Sequence, residues 1–246
     1  MVLRERNGRS CAPDMAFVPD ILQEDNHLLV VRKPAGMLTQ GDETGDLDLL
    51  SALKEYLRMR DAKPGNAFLG MVHRLDRPVG GAMVFAKTSK AAARLSRAFA
   101  QREVKKTYLA AVEGAVKDAQ AELRHSLLWN EQERRSTVAL CGKEALLRFD
   151  REQVDGQRRM SLLRVLLITG MHHQIRAQLA AVGHPVVGDR KYGAKAHIRN
   201  HPGVIALHAV TIAFPHPTKG DSIVVDCPPE AWWPFRAVTV ENGPGR

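Results

Sequence analysis

One acidic side chain, Asp76, lies between Arg74 and Arg77 in the segment GMVHRLDRPVGGAMVFAKT. A carboxylate that is withdrawn from water needs a cation or hydrogen-bond donors to remain charged, and such a group can act as a nucleophile. The alternative is a surface turn with solvated arginines, which is the common arrangement of charged clusters. Because an apolar segment follows directly, we favour a position of Asp76 at the edge of the core over a solvated surface turn.

A second basic group, Arg176, could join such a site. His172 and Arg176 are four residues apart in a predicted helix, so they share a face next to the stripe of Ile175 and Leu179. Arg176 either reaches into a site or is an ordinary exposed helical arginine. A metal site is not predicted at His172 and His173, because no third ligand has a supporting spacing.

An aromatic ring beside lysines is a third candidate. Tyr108 follows Lys105 and Lys106 in a predicted strand. It is either a core residue or a ring on which an unpaired base stacks beside cations. Lys33, Lys87 and Lys106 either increase solubility or follow a phosphate backbone.

The composition favours a nucleic-acid partner. The 246 residues include 36 Lys and Arg against 27 Asp and Glu, for a net charge of +9. No apolar run is long enough to span a membrane, and the first residues lack the apolar centre of a signal peptide, so a cytoplasmic location is expected. Cys11, Cys141 and Cys227 are far apart, which predicts neither a disulfide framework nor a zinc site.

The elements that must position these residues follow from apolar periodicity. Strands are predicted for NHLLVVRKP, AMVFA, KKTYLAAVEG and IALHAVTIAF, and a hairpin through Asp155-Gly156 within ALLRFDREQVDGQRRMSLLRVLLIT. Gly80 and Gly81 should lie just before a strand.

Three helices are predicted between these strands. The first follows Asp46 or Asp48, the second is capped by Ser89 with Ala92, Leu95 and Phe99 inward, and the third ends at Gly183. The pattern indicates an α+β domain with a mixed sheet over residues 18–236, between loose segments 1–17 and 237–246.

Five segments in this order resemble the RluA family of pseudouridine synthases. They are VVRKPAGMLTQ, HRLDRPVGGAMVFAKT, KKTYLAAVEG, HHQIRAQLAAVGHPVVGDRKYG and LHAVTIAFPHP, within residues 20–217. The resemblance implies a long, mixed, mostly antiparallel sheet with flanking helices and a central catalytic cleft. It also implies isomerisation of specific uridines in ribosomal or transfer RNA by base flipping, without a cofactor or metal.

The resemblance assigns roles to the three candidates. Asp76 is the matching nucleophile, Arg176 its basic partner and Tyr108 the active-site aromatic. Three roles stay open for Asp76: attack on C1′, attack on C6, or assistance in sugar deprotonation. Two stay open for Tyr108: stacking on the uracil or assistance in proton transfer. The residues expected to bind RNA are His73, Arg74, Arg77, Lys33, Lys87, Lys106 and His173. A monomer is expected.

The chain departs from the family pattern in three ways. Gly80 replaces a usual Ser or Thr, which removes a hydroxyl that could support the catalytic loop. Met171 and His172 replace a usual Arg and Thr, so substrate choice is expected to differ. About 20 residues precede the first strand, too few for the small RNA-binding domain of many members, so recognition should come from the catalytic domain or a partner.

Two other functions stay open at this point. A non-catalytic RNA-binding protein could keep the same fold, although the presence of Asp76, Tyr108 and Arg176 together argues against it. A hydrolase acting on a glycosidic bond through Asp76 would release free uracil instead of an isomerised nucleotide.

Overall fold

A computed structural model describes residues 17–62 and 67–235. These ranges contain three helices, α1 (Leu49–Arg60), α2 (Ser89–Ala100) and α3 (Gln174–Ala181), and a 3-10 turn at Arg190–Tyr192. Their strands, in chain order, are β1 (Asp20–Glu24), β2 (Leu28–Lys33), β3 (Gly70–Met71), β4 (Gly80–Ala86), β5 (Lys105–Glu113), β6 (Gln120–Asn130), β7 (Arg135–Val138), β8 (Lys143–Asp155), β9 (Met160–Leu167), β10 (Leu207–Pro215) and β11 (Ser222–Asp226).

All of the described strands belong to one long sheet. Its order is β1-β2-β4-β10-β5-β9-β8-β6-β7, with β3 beside β4 and β11 beside β10. Only β4 and β10 run parallel among these pairs; the others are antiparallel. The predicted α+β fold with a mixed, mostly antiparallel sheet is confirmed. The predicted loose segments fall almost entirely outside the described residues, and the domain bounds stay a prediction.

Side-chain alternation along β2 and β4 places α1 and α2 on opposite faces of the sheet. Leu29 and Phe85 share a core with α1, while Val30 and Val84 share a core with α2. Both cores consist of buried aliphatic and aromatic side chains, whose burial is the main stabilising contribution in such a layered domain.

The helix starts show how local polar groups set these elements. Asp48 caps α1 and accepts a hydrogen bond from the Ser51 amide, as one of the two predicted caps. The cap of α2 is Thr88, not Ser89: its hydroxyl accepts from the Ala91 amide at 3.1 Å.

The inward stripe of α2 is Ala91, Leu95 and Ala98. Ala92 and Phe99, which were predicted to point inward with Leu95, flank this stripe and are only half-buried.

The two central parallel strands meet at a glycine. Gly80 and Gly81 pair with His208 and Ala209, so they are the first residues of β4 and do not precede it as predicted. Gly81 has a φ of +127°, and a Cβ atom there would lie 2.4 to 2.6 Å from atoms of Ala209. Only glycine permits both the backbone angle and this close approach.

We expect Gly81→Ala to lower the free energy of unfolding by about 2–5 kcal/mol, because overpacking and backbone strain add. Gly156→Ala is the matched control, since a Cβ at Gly156 meets nothing within 4 Å. Urea unfolding of both variants measures the difference. Equal, small effects would show that β4 and β10 can move apart without cost.

Candidate active site

A cavity of about 490 Å³ opens at the middle of the sheet. Its walls come from the segment before β4, from β5 and from the segment that leads into α3. Seven of the ten predicted site residues line it: Asp76, Tyr108, Arg176, His73, Arg74, Lys106 and His173. The fold therefore gathers in one cleft residues that are distant in the sequence, such as Asp76 and Arg176, which are 100 positions apart.

Hydrogen bonds to a neighbouring segment hold the loop that carries Asp76. The Thr39 hydroxyl donates to the Leu75 carbonyl at 2.8 Å, and the Gly36 amide donates to the Arg77 carbonyl at 2.8 Å. Because the backbone on both sides of Asp76 is fixed, its carboxylate is directed into the cavity, with 26% of the side chain exposed.

Lys33 supports this loop from below and cannot reach RNA in this structure. It is fully buried, and its Nζ donates to the carbonyls of Pro34 at 3.0 Å, Met37 at 2.6 Å and Arg77 at 3.2 Å. The prediction that it contacts phosphate is therefore corrected. Burial lowers the pKa of Lys33 to about 7, against the opposing effect of Asp76.

Because Lys33 is buried, we expect the stability of the protein to depend on pH. Its folded pKa of about 7 lies below the ordinary value of 10.5, so between these values the unfolded chain binds more protons. The free energy of unfolding contributed by this group therefore rises with pH from about 7 to about 10. Urea unfolding of wild type and Lys33→Met at about pH 6.5 and about pH 9.5 should show wild type gaining relative to the variant. Lys90→Met, at an exposed position, should show no such change.

Arg176 joins two carboxylates. Its Nη1 donates to Asp76 Oδ2 at 3.0 Å, while Nε and Nη2 donate to the two oxygens of Asp189 at 2.6 and 2.9 Å. Its guanidinium also lies 5.0 Å from the centre of the Tyr192 ring. Burial alone lowers the pKa of Arg176, but the hydrogen bonds and charge of Asp189, together with Asp76, raise it overall. Asp189 thus fixes the planar guanidinium of Arg176, and the Nη1 side of the group faces Asp76.

Asp189 and Tyr192 were not among the predicted site residues. Asp189 is 2% exposed and lies 13 residues after Arg176, in the loop that follows α3. The available signal was the GHPVVGDRKYG segment, which contains both residues. Nothing in that segment by itself shows that Asp189 pairs with Arg176.

The start of α3 differs from the prediction. The helix begins at Gln174, and His173 adopts a left-handed backbone with φ of 52°. The Gln174 side chain replaces a usual cap: its Oε1 accepts from the Met171 amide at 3.0 Å and the Thr169 hydroxyl at 2.8 Å. His172 therefore lies before the helix and does not share a helical face with Arg176.

Aromatic rings and neutral imidazoles lie in the cleft and directly beside it. Trp129, a residue that the sequence did not indicate, packs edge-on against His172 and His173 at ring distances of 4.8 and 5.4 Å. Burial lowers the pKa of His173 to about 4, so at neutral pH its Nε2 faces Asp76, 3.6 Å away, as a neutral ring. Burial, with the charge of Asp76, raises the pKa of Tyr108, so its phenol stays protonated.

Two of the predicted RNA-binding residues at the cleft, His73 and Arg74, contact other side chains of the protein. The ring of His73 stacks on Phe99 at 4.8 Å, and its Nε2 accepts from the Val84 amide at 3.0 Å. Burial, followed by the charge of Lys106, lowers the pKa of His73 to about 3. Arg74 is exposed and contacts His172. Of the predicted cations, Arg74 and Lys106 therefore line the cleft on this side, together with the exposed Arg102, which the sequence analysis did not single out.

Arg77 and Lys87 do not line the cleft. Arg77 pairs with Asp46 at 2.7 Å, and Lys87 pairs with Glu24 at 2.6 Å beyond the other end of β4. The expectation that they hold phosphate beside Asp76 is corrected, because each faces a carboxylate away from the cavity.

A carboxylate lies next to Gly80, the position at which the sequence analysis noted the loss of a hydroxyl. A Cβ at Gly80 would lie 3.2 Å from Glu230 Oε1, and this oxygen accepts from the Ala35 amide at 3.3 Å. Glu230 also lies 3.6 Å from the buried His208 ring. The carboxyl-terminal segment thus supplies a polar contact to the chain that braces the Asp76 loop.

Within the described ranges, no cluster of His, Cys, Asp or Glu has a geometry that could bind a metal ion. A search of the same residues finds no helix with the length and apolar character needed to cross a bilayer.

The sequence and the fold are similar to those of known proteins. Residues 27–181 match the RNA pseudouridylate synthase family. The chain is 34% identical to the RNA pseudouridine synthase YhcT of Bacillus subtilis (strain 168), over 92% of this chain and 73% of that protein. It is 32% identical to the ribosomal large subunit pseudouridine synthase C of Escherichia coli (strain K12), over 91% and 72%.

A solved structure, human RNA pseudouridylate synthase domain containing 1, superimposes with a TM-score of 0.72 at 26% identity, covering 90% of both chains. The family match covers more than half of the sequence and includes Asp76, Tyr108 and Arg176. This chain therefore belongs to the RNA pseudouridylate synthase family.

Proposed function

We propose that the protein isomerises a uridine of RNA with Asp76 as nucleophile, Arg176 as its basic partner and Tyr108 as the aromatic wall. The observation that carries this proposal is the 3.0 Å hydrogen bond from a buried arginine to a cavity-facing carboxylate, beside a buried tyrosine. The family membership supports the reaction, and the geometry supports the assignment of residues.

The reaction needs no second substrate. The C1′–N1 bond of uridine breaks, C1′ bonds to C5 of the same base, and the proton on C5 is lost while N1 gains one. A base must leave its stack to expose these atoms, and a cavity of about 490 Å³ can hold it. Asp76 can form a covalent adduct at C1′ or C6 or assist sugar deprotonation, and these alternatives stay open.

The neighbours of Asp76 suit a transient, charged intermediate. Arg176 offers hydrogen bonds beside the carboxylate without reorganisation, since Asp189 already holds its other edge. Tyr108, whose pKa is raised by burial and then by the charge of Asp76, can stack on the detached uracil or assist proton transfer. Apolar walls such as Leu207 limit water that would hydrolyse the intermediate.

The substrate is proposed to be ribosomal RNA, with transfer RNA as the alternative. The support is the similarity to a protein named for the large ribosomal subunit. Arg74 and Lys106 would contact the phosphates near the extruded base. Action as a monomer, in the cytoplasm and without a metal ion follows the sequence analysis and stays a prediction.

Tritium release tests this proposal. Ribosomal and transfer RNA labelled at C5 of uridine are prepared from cells that lack this gene, and incubated with purified protein. We expect release from one RNA class, and none from the same class taken from cells that retain the gene, because its target is already modified. Free uracil among the products would support the hydrolase instead. Tight RNA binding without any release would support a non-catalytic binding protein.

A further inference from the structure

A basic segment follows the buried Asp189. Residues 190–203, RKYGAKAHIRNHPG, contain Arg190, Lys191, Lys195 and Arg199 and no carboxylate. Within the part of the chain that the structure describes, none of these four cations forms a salt bridge. By contrast, Arg124, Arg148 and Arg164 on the strands farther along the sheet all pair with glutamates. Among the described residues, the four side chains therefore carry positive charge without a carboxylate in salt-bridge contact.

This segment encloses a second cavity of about 430 Å³ directly behind the active site. Arg176 and Asp189 line it, and Arg176 also lines the first cavity, so the buried ion pair separates the two. Its wall is apolar where it approaches the catalytic loop: Pro78, Ile198, Pro202, Val204 and Ile205. The Ile205 amide donates to the Pro78 carbonyl at 3.2 Å, which ties this wall to the loop of Asp76.

The rim of the second cavity carries groups that can read a base. Asn200 has a left-handed backbone with φ of 62°, and no described residue hydrogen-bonds its side-chain amide. The half-buried ring of His201 lies 5.3 Å from that of Trp232 and also lines the cavity. An amide that pairs with base edges, a flat ring and an apolar wall are the groups by which proteins hold unpaired nucleotides.

We propose that this cavity binds a second unpaired nucleotide of the RNA, a neighbour of the uridine that enters the active site. Its base lies against the apolar wall with Asn200 at its edge, and its phosphates lie on Arg190 and Lys191, the two cations of the segment that line this cavity. The inference rests on the proposed function for the identity of the target uridine. It adds a binding site outside the catalytic cleft that would contribute to sequence choice.

The charge and shape together favour this ligand. An acidic peptide would satisfy the cations but would leave the apolar wall unused, whereas an apolar ligand would leave Arg190 and Lys191 unused. A nucleotide uses both, and extrusion of one uridine unstacks its neighbours, which makes an adjacent base available at little additional cost. A position next to Pro78, two residues from Asp76, is within reach of a flanking nucleotide.

The first test measures binding and needs no turnover. The probe is a fluorescein-labelled RNA stem-loop with unpaired uridines, and every protein carries Asp76→Asn. Adding Arg190→Ala and Lys191→Ala should weaken binding about 10-fold and reduce the salt slope by about 1.5, because each lost phosphate contact lowers it by about 0.7 to 0.9. Arg124→Ala with Arg148→Ala is the matched control for lost positive charge and should change neither. An unchanged slope in the first pair, with an unchanged melting temperature, would overturn the proposal.

The second test assigns the base contact on the RNA whose uridine the tritium assay identifies. An abasic nucleotide on one side of that uridine should raise KM about 10-fold for wild type, with little change in kcat. The variant Asn200→Gly, which keeps the left-handed backbone accessible, should already have a raised KM. Removal of the same base should raise its KM further by a smaller factor than in wild type. Independent, additive losses would contradict contact between Asn200 and that base.

The two proposals can fail separately. If no RNA releases tritium but the double variant at Arg190 and Lys191 still lowers affinity and salt slope, the RNA site stands and the isomerase assignment falls. If tritium is released and neither this double variant nor Asn200→Gly alters KM, the isomerase stands and the second nucleotide site falls.

Discussion

Asp76→Asn is expected to reduce the rate of isomerisation by at least about 10³-fold while leaving RNA affinity and folding nearly unchanged. The amide is close in shape to the carboxylate, so the loop that Thr39 and Gly36 hold should keep its conformation. An amide is, however, a poor nucleophile and cannot balance the charge of Arg176. Single-turnover tritium release measures the chemical step, and anisotropy measures binding of the same RNA.

Asp46→Asn is the matched control for loss of one carboxylate near this loop. Asp46 is half exposed and pairs with Arg77, which lies outside the cleft. Its replacement should change the isomerisation rate by less than about 3-fold, because an exposed ion pair contributes little. If Asp76→Asn retained a rate within about 10-fold of wild type, Asp76 would not be the nucleophile, whatever its position in the cavity.

The second large effect is expected from Arg176. Arg176→Met would leave the carboxylate of Asp189, 2% exposed, without its partner, and should lower the free energy of unfolding by about 3–5 kcal/mol. It should also reduce isomerisation by at least about 10²-fold, because Asp76 loses its hydrogen-bond donor. Urea unfolding and tritium release measure the two effects.

A double variant separates these effects. In Arg176→Met with Asp189→Leu no buried charge is left unpaired, so stability should recover to within about 1–2 kcal/mol of wild type. Activity should stay low, because Asp76 still lacks Arg176. Recovery of activity together with stability would show that Arg176 acts only on folding.

A conservative variant tests whether the geometry of the Arg176 guanidinium matters. Arg176→Lys keeps the charge but cannot contact both oxygens of Asp189 and also donate to Asp76. We expect a loss of about 10²-fold in kcat with little change in KM. Arg164→Lys, whose half-buried arginine pairs with Glu152 on the sheet, should change neither constant.

The sequence alone determined most of the elements and the three central candidates. Apolar alternation and helical periodicity are local properties, so the strand that ends before Pro34, the helix after Asp48 and the hairpin through Asp155-Gly156 all appear where predicted. The type and order of the motifs likewise singled out Asp76, Tyr108 and Arg176, which the fold brings into one cavity.

Only the tertiary structure decided which charged side chains line the cleft and which pair with other groups of the protein. Lys33, Lys87 and Arg77 look like phosphate-binding residues in sequence, yet one is buried against three carbonyls and two pair with carboxylates distant in the chain. The reverse holds for Asp189. The sequence suggests an ordinary loop residue, but in the structure its carboxylate binds Arg176. The physical reason is that burial and ion pairing depend on groups brought together across the sheet, such as Asp76 and Arg176, which are 100 positions apart, whereas strand and helix patterns depend on neighbours in the chain.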